Sequence, residues 1–393
     1  MRLLFVHDHR FLNDQAGGLY TVGSFPSSVW QRYLGHFSSI KVFARSGGLK
    51  PDNSNLSSSI AENVSFRLVP PLGVVERLGL RSGTAKGALG KEIEQADAVI
   101  IRLPSDLGLL AAKLAADAGK PWLVEVVGCA WDAYGHQGTL AARAYAPIAF
   151  ARMRRTLARA PFAMYVTREW LQRRYPSSGQ TAAISDVVVS PIGLAQRDSR
   201  EKRLAAMVDG SKPILGTVAS LSVAYKGIQT AMAALSKLQA QGLSLEYRVL
   251  GAGDPRPWME RASALGVADL VHFDGTRPNG DGVLQWLDSI DLYMQPSFQE
   301  GLPRALVEAL SRGCAAIGST AGGIPELLPV HRTHRPGDAK SLAGIIDRMV
   351  ANPDEMLGAV RRDWPLSESY ADEDLSATRK QFLALFHQAA QRR

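Results

Sequence analysis

The chain has 393 residues, of which 46% are apolar and 21% charged, a globular composition long enough for two domains. Its two cysteines, Cys129 and Cys314, are too few for a disulfide framework, so a reducing compartment is expected. The net charge of +8 suits an anionic partner, while the lack of an RNA-binding aromatic motif or zinc-finger spacing argues against nucleic acid.

The amino terminus does not resemble a signal peptide. Only four apolar residues, at 3–6, precede the polar stretch from His7 to Arg10, which is too short for the apolar core of such a peptide. No run approaches the roughly 18 apolar residues of a membrane span. We therefore expect a cytoplasmic protein.

Short apolar runs predict strands along most of the chain, and helical patterns lie between many of them. This alternation predicts parallel sheets with helices on both faces, and hence an α/β fold of two doubly wound, Rossmann-like domains. The predicted strands lie at 3–6, 40–43, 98–101, 122–127, 163–166, 187–189, 214–218, 247–250, 271–273, 292–294 and 315–317. Predicted helices include 108–118, 227–239, 339–350 and a C-terminal helix at about 374–391.

The best domain boundary lies at 195–213. This stretch is rich in charge between Arg197 and Arg203 and ends at Pro213, just before a new strand. It predicts a first domain at 1–195 and a second at 205–370, with the C-terminal helix, about 374–393, beyond the last alternation.

The sequence QEGLPRALVE at 299–308 places one carboxylate, Glu300, at the mouth of a predicted helix and a second, Glu308, inside that helix. Pro303 suits a first-turn position, where its missing N–H has no helical partner. Helical rise would separate the carboxylates by about 12 Å along the axis, about the span of a nucleotide-sugar. One acid can then hold sugar hydroxyls and the other ribose hydroxyls, with the diphosphate at the positive helix end.

This segment resembles the E-x7-E motif of retaining GT-B glycosyltransferases of the large family-4 class, which includes bacterial polysaccharide and lipopolysaccharide enzymes. Further matches follow in the family's order and together cover about 214–330. They are YKG at 225–227, GAGD at 251–254, VHFDG at 271–275, PSF at 296–298 and GGIPE at 322–326. The resemblance implies a GT-B fold with two domains facing across a cleft, the first on the acceptor side and the second binding the nucleotide-sugar. It also implies that the final helix packs back on the first domain.

The resemblance implies two catalytic residues, Lys226 and Glu300, which would act on the diphosphate and the sugar. Family members usually carry an arginine about six residues before the lysine, where this chain has Ser220. That serine donates one hydrogen bond but supplies no charge. The implied donor-binding residues are Gly17, Gly18, Ser220, Gly251, Gly253, Gly301, Leu302 and Glu308.

The first domain departs from the family in one respect. Many members place a histidine after a middle strand, but the strand at 122–127 is followed by GCAWD, and the next histidine is His136. Asp132 and His136 are therefore candidates for acceptor contacts, or belong to an ordinary loop. The triplet His7-Asp8-His9 is a poor metal site, because adjacent residues of a strand point to opposite sides. The resemblance implies no essential metal.

The stretch 141–161 carries several arginines among apolar residues. It predicts a basic amphipathic helix that rests on an anionic membrane at its inner face. A packed helix with a solvated basic face explains the same charges. The arginines selected for this contact are Arg152, Arg154, Arg155 and Arg159.

The resemblance implies transfer of a sugar from a nucleotide-sugar to an acceptor hydroxyl with retention, in the synthesis of a cell-surface polysaccharide or glycolipid. The acceptor would be a saccharide or be linked to a lipid, and no cofactor besides the donor is implied. A nucleotide-sugar epimerase of the same fold and a non-catalytic nucleotide-sugar-binding protein remain alternatives. A dehydrogenase would need G-x-G-x-x-G after the first strand, where this chain reads RFLN at 10–13.

Overall fold

The computed structural model describes residues 1–14, 17–22, 25–49, 56–70, 84–136, 138–189, 194–206, 212–278 and 280–392. The chain divides into two compact units. The first comprises Met1–Ile184 with Ser376–Arg393, and the second comprises Ser185–Leu375. Each unit is built around its own β-sheet.

A nine-stranded sheet forms the centre of the first unit. Its strands are β1 (Arg2–Asn13), β2 (Leu19–Thr21), β3 (Ser39–Leu49), β4 (Ser57–Ser58), β5 (Val64–Val69), β6 (Ala98–Leu103), β7 (Trp122–Val126), β8 (Phe162–Tyr165) and β9 (Gln180–Ala183). The order β5-β3-β1-β6-β7-β8-β9 is parallel throughout, and β2 and β4 add an antiparallel extension at the end of β1. The helices of this part of the chain are α1 (Gln31–Leu34), α2 (Thr84–Gln95), α3 (Asp106–Asp117), α4 (Ala130–Gly135), α5 (Leu140–Ala158) and α6 (Trp170–Arg174).

Strand β1 explains why the apolar runs were good predictors of strands. Its residues from Leu3 to Val6 are completely buried, because a parallel sheet covered on both faces leaves no solvent side. The strand continues past the predicted end at residue 6. Its polar second half, from His7 onward, pairs with β3 beyond a register shift and then with β2.

The second unit contains a six-stranded, fully parallel sheet in the order β12-β11-β10-β13-β14-β15. Its strands are β10 (Leu215–Val218), β11 (Tyr247–Leu250), β12 (Val271–Phe273), β13 (Leu292–Gln295), β14 (Ala315–Ser319) and β15 (Thr333–His334). Its helices are α7 (Leu194–Ala206), α8 (Ile228–Gln239), α9 (Arg256–Ala264), α10 (Asp281–Asp288), α11 (Arg304–Ser311), α12 (Ala339–Ala351) and α13 (Pro353–Glu368). The strand order reverses between β10 and β13, which makes this pair the topological switch point of the unit.

The last helix, α14 (Asp372–Gln391), contributes to the core of the first unit. Phe382, Leu383 and Phe386 are buried in the same apolar cluster as residues of β1 and β3. The ring of Phe386 also meets that of Phe162 edge-to-face, with centroids 5.4 Å apart.

Three features differ from the sequence expectations. The strand predicted at 187–189 is absent, and Val189 forms only an isolated bridge with Ala371. Val187 and Val189 are buried in an apolar cluster with Tyr370, so the division between units falls at Ile184, earlier than the predicted 195–213.

The third difference concerns the helix of the 299–308 segment. Helix α11 begins at Arg304, and Pro303 is its N-cap rather than its first helical residue. Glu300 therefore lies outside the helix, and the helical rise assumed between the two carboxylates applies only to part of the segment.

Several strands were missed by the sequence analysis. Strand β5 has a single buried residue, Val69, and β9 has mostly exposed residues in the sequence QTAA. Both lie at edges of the first sheet, where a strand needs no continuous apolar run. The missed strands are β2, β4, β5, β9 and β15.

Candidate functional site

The candidate site lies at the switch point of the second sheet. Strand β10 leads into the loop that carries Lys226, and the neighbouring strand β13 leads into the loop that carries Glu300. In open α/β sheets, ligands bind beyond the carboxyl ends of the strands where the order reverses. The topology thus brings together the two residues that were predicted to be catalytic.

The Lys226 loop is held by a tight turn. Gly227 has φ 81° and caps helix α8. A Cβ atom at this position would lie 1.9 Å from the carbonyl oxygen of Pro296, so only glycine fits. The backbone N–H of Phe298 donates to the carbonyl of Tyr225 at 2.7 Å, which ties the two loops together.

The Glu300 carboxylate is fixed through one of its oxygens. Oε1 accepts hydrogen bonds from Lys226 Nζ at 2.8 Å, Gln295 Nε2 at 2.8 Å and Ser297 Oγ at 2.7 Å. No hydrogen bond from the described residues reaches Oε2. The carboxylate is therefore oriented by the protein while one oxygen stays available to a ligand.

Gln295 and Ser297 form a buried support that the sequence analysis did not select as a site. Their exposed fractions are 1% and 0%. Tyr293, also buried, donates through its hydroxyl to Gln295 Oε1 at 2.9 Å. The sequence contained one signal for this role, since a glutamine at the end of an apolar strand must find hydrogen bonds when it is buried.

Glu308 lies in a cavity of about 230 Å³ at the same switch point. Burial raises the pKa of its carboxyl, and the charge of Arg304 opposes this. No hydrogen bond from the described residues satisfies the carboxylate. The cavity is lined by Val218, Lys226, Gly280, Val283, Gln295, Pro303, Arg304, Ala305 and Glu308.

The start of helix α11 also borders this cavity. Its N-cap, Pro303, offers no side-chain hydrogen bond to the first turn. The first intrahelical bond is donated by Val307, so the N–H groups of Arg304 and Ala305 precede the hydrogen-bonded part of the helix. Such a helix end carries partial positive charge and suits an anion.

Three further residues that were predicted to bind the donor, Ser220, Gly251 and Gly253, lie in loops that follow strands of this unit. A Cβ on Gly251 would lie 1.9 Å from the carbonyl oxygen of Ala219, and one on Gly253 would lie 2.8 Å from Leu221. These glycines therefore allow two strand-end loops to pack closely. Ser220 is exposed, and its hydroxyl accepts from the N–H of Ser222 at 3.3 Å. None of Ser220, Gly251 and Gly253 lines the cavity.

Gly301 and Leu302 connect Glu300 to the helix and are half-buried. The carbonyl of Gly301 accepts from the N–H of Gly323 at 2.7 Å. A Cβ on Gly322 would lie 2.3 Å from the carbonyl oxygen of Glu300. The GGIPE segment thus packs against the Glu300 loop.

In the first unit, Gly17 and Gly18 belong to a loop organised by Asp14. The Asp14 carboxylate accepts from the N–H of Gly18 at 2.6 Å and from the Tyr20 hydroxyl at 2.9 Å. Gln15 and Ala16, which precede these glycines, lie outside the described residues.

Asp132 and His136 lie one turn apart at helix α4. His136 is exposed, and its Nδ1 lies 3.2 Å from the carbonyl oxygen of Asp132. Burial raises the pKa of the Asp132 carboxyl, while Arg174, 4.0 Å away, lowers it. The structure brings these two candidates together on one short helix.

The side chains of the His7-Asp8-His9 triplet point to alternate sides of strand β1. The rings of His7 and His9 lie on the same side, with centroids 6.4 Å apart, whereas Asp8 accepts from Arg45 Nε at 2.7 Å. Burial, aided by the charge of Arg102, lowers the pKa of His9 to about 4. Among the described residues, no three potential ligands gather in a group that could hold a metal ion.

The basic stretch forms helix α5, and its arginines have different surroundings. Arg154, Arg155 and Arg159 are exposed. Arg152 is half-buried and instead donates to the Tyr145 hydroxyl at 2.5 Å, with Asp106 3.8 Å away. In the described part of the chain, every helix is too short or too polar to span a membrane.

The chain forms two doubly wound units, as in the GT-B class of fold, and a lysine and two glutamates lie at the switch point of the second unit. Comparisons with solved structures support the assignment to this fold class. Sucrose-phosphate synthase from Thermosynechococcus elongatus matches with a TM-score of 0.67 at 16% identity, covering 99% of this chain and 100% of that one. HepE from Anabaena, in complex with UDP-glucose, matches with a TM-score of 0.63 at 13% identity, covering 99% and 100%. The predicted fold class is confirmed.

Sequence comparisons define the family. Residues 212–352 match the family model described as glycosyl transferases group 1. Protein CapJ of Staphylococcus aureus is 30% identical over 97% of this chain and 90% of its own length. The amylovoran biosynthesis glycosyltransferase AmsK of Erwinia amylovora is 35% identical over 32% of this chain and 33% of its own. The chain belongs to the group 1 glycosyltransferase family, and the prediction that it is a glycosyltransferase is confirmed.

Proposed function

We propose that the protein transfers a sugar from a nucleotide-sugar to an acceptor hydroxyl, with retention at the anomeric carbon. The observation that carries this proposal is the cavity at the switch point. It is lined by Lys226, Glu308 and the start of helix α11, and Lys226 is hydrogen-bonded to the fixed carboxylate of Glu300. The complex of the structural neighbour HepE with UDP-glucose supports a nucleotide-sugar as the donor.

Each residue of this constellation has a role in the proposal. Lys226 and the first N–H groups of α11 stabilise the charge that develops on the departing diphosphate. The free Oε2 of Glu300 accepts hydrogen bonds from hydroxyls of the transferred sugar. Glu308 accepts from the ribose hydroxyls, which supply the hydrogen bonds that its carboxylate otherwise lacks.

The proposed chemical step follows the resemblance to retaining enzymes. The bond between the anomeric carbon and the diphosphate oxygen breaks, and the acceptor oxygen bonds to the same face of that carbon. The proton of the acceptor hydroxyl passes to the departing diphosphate. No protein nucleophile is required in this scheme.

The proposed biological role is synthesis of a cell-surface polysaccharide or glycolipid. The name of the relative AmsK, an amylovoran biosynthesis glycosyltransferase, supports it. We further propose that the exposed face of helix α5 contacts the inner, anionic face of a membrane. Arg154, Arg155 and Arg159 supply its charge, and Leu140 and Ile148, with exposed fractions of 82% and 48%, supply apolar contact.

The test is a radiolabelled transfer assay with UDP-, GDP- and ADP-sugars and with lipid-linked and free saccharide acceptors. Transfer should occur with one donor, and Lys226→Ala should lower turnover by about 100-fold, the effect of losing one preorganised stabilising group. Lys237→Ala is the matched control, since Lys237 is exposed near the far end of the helix that follows Lys226. If Lys226→Ala lowers turnover by less than about threefold, another group binds the diphosphate. Conversion of the donor sugar without an acceptor would favour an epimerase.

A further inference from the structure

The two cations of the switch-point cavity differ in their partners. Lys226 Nζ lies 2.8 Å from Glu300 Oε1, so its charge is already paired. Arg304 is exposed and lines the same cavity, but no hydrogen bond or ion pair joins its side chain to the described residues. Arg304 is therefore the cation of this cavity whose guanidinium is available to a ligand.

The position of Arg304 relates it to one part of the donor. It is the first residue of helix α11, and Glu308 lies on the same face one turn later. One turn corresponds to about 5.4 Å along the axis. If Glu308 holds the ribose, Arg304 lies beside the diphosphate to which that ribose is attached, at the positive end of the helix.

We infer that Arg304 binds the diphosphate of the donor as a second cation beside Lys226. This inference rests on the proposed function and adds a binding residue that the sequence analysis did not select. A guanidinium presents planar, paired N–H donors that match two phosphate oxygens, and hydrogen bonds between charged groups are stronger than neutral ones. The adjacent N–H groups of α11 point to the same anion.

The charges around the cavity explain why a second cation is needed. The Lys226–Glu300 pair is neutral as a unit, and Glu308 adds a carboxylate to the lining. Ser220, in the loop between β10 and Lys226, contributes only a hydroxyl, which already accepts from Ser222. Without Arg304 the side chains at this site would carry net negative charge, which opposes binding of a diphosphate.

Calorimetry on the full chain tests the inference with UDP, GDP and ADP, each beside its phosphate-free nucleoside. For the diphosphate that binds best, Arg304→Gln should weaken affinity by about tenfold or more, and affinity for the nucleoside should stay within about twofold. Arg304→Lys should recover part of the loss, because it keeps the charge without the planar fork. Arg261→Gln is the matched control, an exposed arginine of helix α9 outside the cavity lining, and should bind as the parent does.

The outcomes separate this inference from the proposed function. If the parent binds a diphosphate and Arg304→Gln binds it equally well, the inference is overturned and the donor site stands. Equal weakening of diphosphate and nucleoside would also overturn it, because the effect would not depend on phosphate. If the parent binds none of the three diphosphates, both the inference and the nucleotide-sugar proposal fail. Thermal unfolding of each variant confirms that the fold is retained.

Discussion

At the scale of single residues, the ion pair between Lys226 and Glu300 determines how the site can work. Oε1 of Glu300 accepts hydrogen bonds from three side chains, one of which is that of Lys226 in the cavity lining. The carboxylate thus has a positioning role through Oε1 and a proposed ligand-binding role through Oε2. Replacing its charge tests both roles at once.

Glu300→Gln should lower turnover by at least about tenfold, which corresponds to about 1.4 kcal/mol of lost transition-state stabilisation. Affinity for the nucleoside diphosphate should fall by no more than about threefold, because the change leaves Lys226 free to meet the phosphate. Initial rates with the donor and calorimetry with the diphosphate measure the two effects. Glu260→Gln, an exposed acid of the same unit, is the control. Loss of diphosphate binding with normal turnover at saturation would reverse the assigned roles.

The buried carboxyl of Glu308 should lower the free energy of unfolding at neutral pH, and the same carboxyl is proposed to bind the ribose. Burial raises the pKa of its carboxyl in the folded state above that in the unfolded chain. The folded state therefore loses stability as the pH rises through the raised pKa, because ionisation is easier in the unfolded chain.

Glu308→Gln removes that ionisation and should raise the melting temperature at pH 7.5 by about 1–3 °C. Near pH 4, where the parent carboxyl is largely protonated in the folded state, the two proteins should melt together. The same variant should bind the nucleoside diphosphate more weakly, since its amide no longer attracts ribose hydroxyls as a carboxylate does. Calorimetric melting curves at both pH values give the comparison, and a lower melting temperature for the variant at pH 7.5 would contradict the assignment.

At the scale of elements, the site depends on two loops that pack backbone against backbone. Gly227 of the β10 loop touches the carbonyl of Pro296 in the β13 loop, and Phe298 donates to Tyr225. This contact fixes where Lys226 lies relative to Glu300. Gly227 has no side chain that could bind a ligand, but it is necessary for the geometry of the site.

Gly227→Ala should destabilise the second unit and lower turnover, because its Cβ would overlap the carbonyl oxygen of Pro296. Gly242→Ala separates the two causes, since Gly242 has φ 85° and a Cβ placed there would have no atom within 4 Å. The control should lose only about 1 kcal/mol, the cost of the left-handed conformation for alanine. Urea unfolding and initial rates are the measurements. Equal losses in both variants would show that the contact with Pro296 is unimportant.

At the scale of the whole molecule, the net charge is +8, and the arginines that contribute to it have different surroundings. Some arginines have partners inside the fold: Arg332 forms a buried pair with Asp363, and Arg152 donates to Tyr145. The exposed arginines of helix α5 remain beside exposed apolar side chains. This combination of exposed charge and exposed apolar side chains supports the proposed membrane contact of α5.

The variant Arg154→Gln/Arg155→Gln should bind anionic vesicles more weakly than the parent at low salt. Each basic residue near such a surface contributes on the order of 1 kcal/mol, which salt screens. Lys86→Gln/Lys91→Gln removes the same charge from exposed positions of helix α2 and should bind as the parent does. Co-sedimentation with vesicles of phosphatidylglycerol and phosphatidylcholine measures the difference. Equal binding of the parent to anionic and neutral vesicles would exclude the membrane contact.

The strands that are buried on both faces could be predicted from the amino-acid sequence, and so could the order of the motifs at their ends. The apolar runs 3–6 and 98–101 lie inside the observed strands β1 and β6, because burial on two faces demands an uninterrupted apolar run. The sequence also indicated that Lys226, Glu300 and Glu308 belong together, through the resemblance of their spacing to a family. Edge strands such as β9 escaped detection, because an exposed edge imposes no such pattern.

The contacts between these residues could not be predicted and became visible in the folded chain. Lys226 and Glu300 are 74 residues apart, and their ion pair follows from the pairing of β10 with β13. The start of α11 at Arg304 and the different surroundings of Arg152 and Arg154 were likewise invisible in the sequence. The physical reason is that periodicity reports which face of an element is buried, whereas hydrogen bonds and charge pairing depend on which elements meet.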